Sequence, residues 1–364
     1  MKFLFYFGHP AQYHFLKYPI QKLRKKGHEI TILIKTKDVL ERLLVENKEE
    51  YFNILPEGRH NSKISILIGL IKRDLRLFQF SFRKKYDLFV GTDPSLSHIG
   101  YLLKIPVITV LEDDIEVIPS LAKLTFPFTS QILTPENVRV GKYEYKKTGY
   151  AGYMKLAYLH PNYFTTNKFK VRLPYFLIRL SKLNAYHDIG IKGMNESLLD
   201  QIIGILIKAG SVHISSEEAI STKYDSYLLS IYPSEMHQFL ANASILISDS
   251  QSMSMEAAML GIPSIRFSDF AGKISVLEEL EHTYQLTYGI SPNEPEKLIN
   301  KINELLNEPN LSEMFQNRRQ QMLSEKIDVT AFLVWFIETY PESVSIMKQN
   351  PGYQERFKGL DAEG

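Results

Sequence analysis

Four short stretches bring together residue types that can do chemistry, and each follows an apolar run. Glu112-Asp113-Asp114 puts three acids directly after Ile105–Leu111. Hard oxygen ligands in a row suit Mg²⁺ or Mn²⁺, but the same residues suit a solvated acidic turn, or a Glu112 that contacts substrate or moves a proton. Gly91-Thr92-Asp93 closes the apolar Leu88–Val90. Asp93 is placed to act as a base or touch a sugar hydroxyl, or to cap a helix over Pro94–Lys104, the usual role of an Asp-Pro step. In Phe7-Gly8-His9-Pro10 the glycine permits a tight turn. His9 then either meets a phosphate or an acceptor or bonds the backbone. His9 and His14 are five apart, which does not match a helical metal pair, and zinc is not expected. Asn184–Gly193, NAYHDIGIKG, offers amides at Gly190 and Gly193 for a diphosphate, with His187 and Asp188 close to substrate. A tandem His-Asp metal phosphohydrolase would need further helical ligands that the sequence lacks.

The fullest signal is Ile245–Phe267, ILISDSQSMSMEAAMLGIPSIRF. It reads as a buried strand, a polar turn Ser248-Asp249-Ser250, a helix from about Ser252, a stop at Gly261 and a second buried strand. Helix N-termini at the carboxyl ends of parallel strands favour anions. Small hydroxyl residues there suit a phosphate or diphosphate held by backbone amides, with Glu256 one turn in and within reach of a sugar hydroxyl. An ordinary Ser-rich cap in a βαβ unit would read the same way.

These stretches need strands and helices to position them, and the chain supplies both. At 364 residues, 44% hydrophobic and 23% charged, it has material for two globular cores. The net charge of +2 gives no case for a nucleic-acid partner. With no cysteine, disulfides, thiolate metal sites and a Cys nucleophile are excluded. Neither a signal peptide nor a transmembrane run is evident, which predicts a cytoplasmic protein, with the inner face of the membrane as a second location. Leu75–Lys85, LRLFQFSFRKK, fits either a membrane surface or an amphipathic helix burying Leu77, Phe78 and Phe82.

Strand and helix signals alternate. Strands are predicted at Lys2–Phe7, Glu29–Lys35, Leu88–Gly91, Val107–Leu111 and Gln131–Leu133, then at Phe176–Leu180, Val212–Ser215 and the two flanks of the Ile245–Phe267 unit. Helices are predicted over Tyr13–Lys26, Glu196–Lys208 and from Pro233 through Asn242, and the chain is helical after Pro292. Near-continuous apolar strands alternating with helices predict parallel sheets covered on both faces. The pattern breaks at HPNYFTTNKFKVRLP, which predicts domains over 1–160 and 174–327 and a helical tail over 328–364 that packs back on the first domain.

Together these residues resemble a GT-B-type protein, the two-Rossmann architecture of many glycosyltransferases and of the non-hydrolysing UDP-N-acetylglucosamine 2-epimerases. An uncharacterised archaeal and bacterial GT-B-like family is similar in its opening, here Pro10 to His14-Phe15, in the acidic strand end Leu111–Asp114, and in Pro135-Glu136. The epimerases have a Gly-Asp like Gly91-Thr92-Asp93, a Val-Glu like Leu111-Glu112, and a Pro-Thr-Glu acid resembling Glu136. Their Asp-Ser-Gly-Gly-x-x-Glu-Glu-Ala segment resembles Asp249–Ala257, and a histidine in their C-terminal domain corresponds loosely to His187. The resemblance implies an α/β, GT-B-like chain of two doubly wound domains facing a central cleft. It implies that Ser250, Gln251 and Ser252 meet the phosphates, that Glu256 meets the uridine ribose, and that Asp93, Glu112 and Glu136 serve as acids and bases. Gly8-His9-Pro10-Ala11-Gln12 replaces the epimerases' Gly-Thr-Arg-Pro-Glu, and Gln251-Ser252 replaces their Gly-Gly.

The expected activity is a UDP-sugar-dependent glycosyltransferase of surface polysaccharide or glycolipid synthesis. The alternatives are a 2-epimerase and a non-catalytic sugar-nucleotide or glycan-binding protein. Expected partners are a nucleotide-sugar, a sugar or lipid-linked acceptor, a peripheral membrane surface and a second copy of the chain. No metal or further cofactor is expected.

Overall fold

The computed structural model describes the chain apart from residues 38, 58–62, 168–173, 182–193 and 360–364, and apart from the side chains of 63–66. It divides into two compact units, Met1–Tyr163 with Lys326–Gly364, and Phe164–Glu325.

The first unit is built on a seven-stranded parallel sheet: β1 (Lys2–Phe7), β2 (Glu29–Lys35), β3 (Phe52–Leu55), β4 (Leu88–Gly91), β5 (Val107–Val110), β6 (Gln131–Pro135) and β7 (Lys147–Tyr150). The spatial order is β3-β2-β1-β4-β5-β6-β7. Phe3 to Phe7 of β1 are all buried, as a central parallel strand covered on both faces requires. The order reverses between β1 and β4, which in doubly wound sheets is where strand ends diverge and leave room for a ligand.

The C-terminal segment returns to this unit. The Ile327 N–H bonds the Ala151 carbonyl at 2.9 Å. Asp328 caps the helix Val329–Glu338 by accepting from the Ala331 N–H at 2.9 Å. Its other oxygen accepts from Asn162 and Tyr163 at 2.9 and 2.8 Å.

The second unit holds β8 (Tyr175–Leu180), β9 (Ser211–Ser216), β10 (Ile245–Ser248), β11 (Ser264–Phe267) and β12 (Tyr288–Ile290), ordered β12-β11-β10-β8-β9 and all parallel. Beyond β9, Ile214 forms a parallel bridge to Leu228, and the Leu229 N–H reaches the Ile214 carbonyl at 2.8 Å. The chain thus moves outward on one side of β8 and returns on the other, so this sheet is doubly wound as well.

The sequence pattern missed β3, β7 and β12. All three are sheet edges, short and covered on one side only, so they carry no continuous apolar run. The first helix begins at Pro10, not Tyr13, because proline's fixed φ suits the first helical turn and His9 caps it. The helix expected from Pro233 to Asn242 is a 3₁₀ turn, Pro233–Glu235, followed by the short helix Met236–Leu240. The Ile245–Phe267 helix begins at Gln251, one residue early, with Ser250 as its cap.

Candidate functional site

At the carboxyl edge of the first sheet, His9, Asp93, Glu112 and Glu136 follow β1, β4, β5 and β6. These four strands are consecutive neighbours, spaced by about 4.8 Å per strand. His9 is exposed, and its Nδ1 accepts the Ala11 N–H at 3.2 Å.

Asp93 is buried and engaged through both oxygens. Oδ1 accepts from the Ser95 N–H at 3.0 Å, capping the helix Pro94–Leu103, and from Arg73 Nε at 3.3 Å. Oδ2 accepts from Lys35 Nζ at 3.3 Å. Burial pushes this carboxyl up, but Lys35 and Arg73 together outweigh it and hold the group below the usual carboxylate range. Of the two roles the sequence left open, the cap is the one the geometry displays.

The acids after β5 diverge. Glu112 is buried against Lys155, only 2% exposed, whose ammonium bonds Oε1. Oε2 of Glu112 is buried with no hydrogen-bond partner, as is the phenol oxygen of Tyr150. Burial first, and then the Glu112 charge, push that phenol well above its ordinary value. Asp113 is pushed up to about 6, by burial and then by Glu112. Asp114 is fully buried and holds the loop: its Oδ1 accepts the Arg139 N–H at 2.8 Å, and its carbonyl accepts from Val117 at 2.9 Å. Among the described residues no three or more of His, Asp and Glu are grouped to hold a metal ion. Glu136 is exposed, with its N–H on the Tyr150 carbonyl at 3.0 Å.

In the second unit the ten-residue helix Gln251–Leu260 starts at the carboxyl end of β10. The Ser250 hydroxyl accepts the Met253 N–H at 3.4 Å, and the Ser250 N–H donates to Ser248 Oγ at 2.8 Å. Ser252 lies half-buried on the first turn. Gln251 is pinned from two sides: Oε1 accepts from Arg266 Nη1 at 3.2 Å, and Nε2 donates to Ser268 Oγ at 2.6 Å. Arg266 is fully buried at the end of β11, and its Nη2 lies 3.6 and 3.8 Å from Glu281 and Glu278. A Cβ at Gly289 would stand 2.6 Å from that nitrogen, so only glycine leaves room for it. Glu256 is buried one turn into the helix and paired to His237 Nε2 at 3.2 Å.

The arrangement combines the positive end of a helix dipole, a pinned first residue and a carboxylate held by an imidazole. It can take an anion at the helix start and accept a hydrogen bond from a hydroxyl at Glu256. His187, Gly190 and Gly193 lie outside the described residues. Lys155, His237 and Arg266 were not singled out from the sequence. Their signal was a cation inside an apolar run: Lys155 in Ala151–Leu159 and Arg266 within SIRF.

No family model matches the chain, and no curated protein matches it. Solved structures do. The Staphylococcus aureus protein MnaA, solved with UDP, aligns over 96% of this chain and 97% of its own, with a TM-score of 0.64 at 12% identity. A UDP-GlcNAc 2-epimerase from Methanocaldococcus jannaschii, in complex with UDP-GlcNAc and UDP, aligns over 85% and 93%, with a TM-score of 0.61 at 17% identity. The spinosyn forosaminyltransferase SpnP aligns over 95% and 99%, with a TM-score of 0.60 at 13% identity. The chain has the GT-B fold of these epimerases and glycosyltransferases.

Proposed function

We propose that the protein is a glycosyltransferase that uses a UDP-sugar donor in surface polysaccharide or glycolipid synthesis. The observation that carries this reading is the start of the helix Gln251–Leu260, where Arg266 pins Gln251 and His237 holds Glu256. A diphosphate fits the helix N-terminus through Ser250, Gln251 and Ser252, and Glu256 is set to accept a hydrogen bond from a ribose hydroxyl. The UDP in the MnaA and M. jannaschii structures supports uracil as the base.

In the first unit, Glu112 is the group suited to take the proton of an acceptor hydroxyl, through its unpartnered Oε2. The acceptor oxygen then bonds the anomeric carbon, and the C1–O bond breaks toward the diphosphate. Charge growing on that diphosphate is met by the helix dipole, so the scheme needs no metal.

The row of carboxylates after β4, β5 and β6 favours a second reading, a 2-epimerase, in which such groups exchange the C2 proton and assist C–O cleavage. The engagement of Asp93 with Lys35, Arg73 and Ser95 leaves it less suited to exchange a proton and so favours the transferase.

UDP-N-acetylglucosamine incubated alone with the protein in deuterated solvent separates the readings by NMR. Broadened ligand signals without turnover are expected for a transferase lacking its acceptor. The manno isomer with deuterium at C2 would establish the epimerase instead. Broadening without turnover that persists with every acceptor offered would point to a binding protein, and unperturbed signals would contradict this donor.

A further inference from the structure

Among the described residues no helix is long and apolar enough to cross a membrane, yet the helix Lys63–Ser81 carries apolar residues on both its faces. Its inner face, with Leu70 and Leu77, is buried in the core. On its outer face Leu67, Ile71 and Leu75 recur every four residues and are 58%, 51% and 58% exposed. Phe82, just past the helix end, extends the stripe at 61%. The helix Pro94–Leu103 packs beside it, with His98 bonded to Asp74 at 3.0 Å, and adds exposed Tyr101 and Leu102. Scattered exposed leucines need no explanation, but a helical stripe continued onto a neighbouring helix does.

Charge identifies what covers it. Residues 63–85 hold seven basic residues and one acidic one, in a chain whose net charge is only +2; Arg73 among them is buried on Asp93 and Arg76 is paired with Glu57. Lys72, Arg83, Lys85 and Lys104 are exposed around the stripe. Interfaces between protein chains are depleted in lysine, whereas long cationic side chains at the rim of an apolar strip suit phosphate headgroups above acyl chains.

We infer that the outer face of the helix Lys63–Ser81 docks onto an anionic lipid bilayer, with Leu67, Ile71 and Leu75 entering the headgroup boundary and the surrounding lysines and arginines meeting lipid phosphates. The surface belongs to the first unit alone and stands whether or not the donor assignment does.

Flotation with phosphatidylcholine vesicles containing about one-third phosphatidylglycerol tests it. The full chain is expected to float with these vesicles, to bind pure phosphatidylcholine about tenfold more weakly, and to lose much of its binding in about 0.5 M salt. The double variant Ile71→Glu/Leu75→Glu, at positions already exposed, is expected to keep its circular dichroism and UDP affinity while binding about tenfold more weakly. Failure of the full chain to float, or equal flotation of the variant, would overturn the inference. So would light scattering that shows a dimer which this variant converts to monomer, since the face would then be an interface between copies. Loss of UDP binding with vesicle binding intact would count against the donor site alone.

Discussion

Lys155 and Glu112 form a buried ion pair in which only one carboxylate oxygen is used: the ammonium bonds Oε1, and Oε2 has no hydrogen-bond partner. The ammonium fixes the carboxylate in one orientation and leaves Oε2 as the oxygen not used by the pair. Glu112→Gln is therefore expected to lower kcat by about 100-fold or more while UDP affinity stays within about twofold. An active Glu112→Gln variant would remove Glu112 from the mechanism.

If Glu112 is the base, Lys155 is its positioning residue, and the two kinetic constants separate that role from a structural one. Lys155→Met leaves a buried charge uncompensated, costing about 3–5 kcal/mol of stability, and it releases the Glu112 carboxylate from its fixed orientation, so that kcat falls while the donor KM stays nearly unchanged. Lys155→Arg keeps the charge and is expected to restore much of both. An undiminished kcat in folded Lys155→Met would leave the lysine with a purely structural role.

Glu256 and His237 pair on the helix proposed to hold the donor. Glu256→Ala is expected to raise the donor KM about tenfold, as loss of one charged hydrogen bond of about 1.5 kcal/mol implies, with kcat little changed. His237→Ala moves KM in the same direction by a smaller factor, because it removes one partner of the carboxylate without deleting it. Steady-state kinetics decides the point, and unchanged donor KM in Glu256→Ala contradicts the ribose contact.

Asp113 predicts a pH effect on stability. Its carboxyl rises from 3.8 to about 6 on folding, so the native state holds the proton more tightly than the unfolded chain. Its contribution is therefore full below pH 3.8, is lost as pH rises through about 6, and is flat above that. Asp113→Asn removes this dependence and is expected to be more stable than the natural chain above the window. Urea midpoints measured across the range test it; parallel curves for the two proteins would contradict the burial assigned to Asp113.

For Asp93 the expected defect is one of folding. Asp93→Ala deletes the anion that Arg73 and Lys35 share and uncaps the helix Pro94–Leu103, a loss of about 3 kcal/mol or more. Full stability with no activity would return Asp93 to the chemistry.

How much of this was legible in the sequence follows from how each feature is encoded. Central strands such as β1 and β10 are unbroken apolar runs because both their faces are covered, and Ser250, Glu256 and Gly261 lie within one local strand-helix unit. The edge strands β3, β7 and β12 lacked that run. The partners Lys155 to Glu112 and Arg266 to Gln251 lie 43 and 15 residues apart, and only the sheet order brings each pair together. Asp93 was ambiguous for a different reason: its capping role shows in the following proline, but Arg73 and Lys35 join it from a helix and a strand that no local pattern connects.

A crystal structure of the UDP complex would show whether the helix Gln251–Leu260 holds a nucleoside diphosphate. Diphosphate oxygens are expected within about 3 Å of the backbone N–H groups of Gln251 and Ser252, with a ribose hydroxyl on Glu256. UDP bound elsewhere, or no UDP density at saturating concentration, would contradict it.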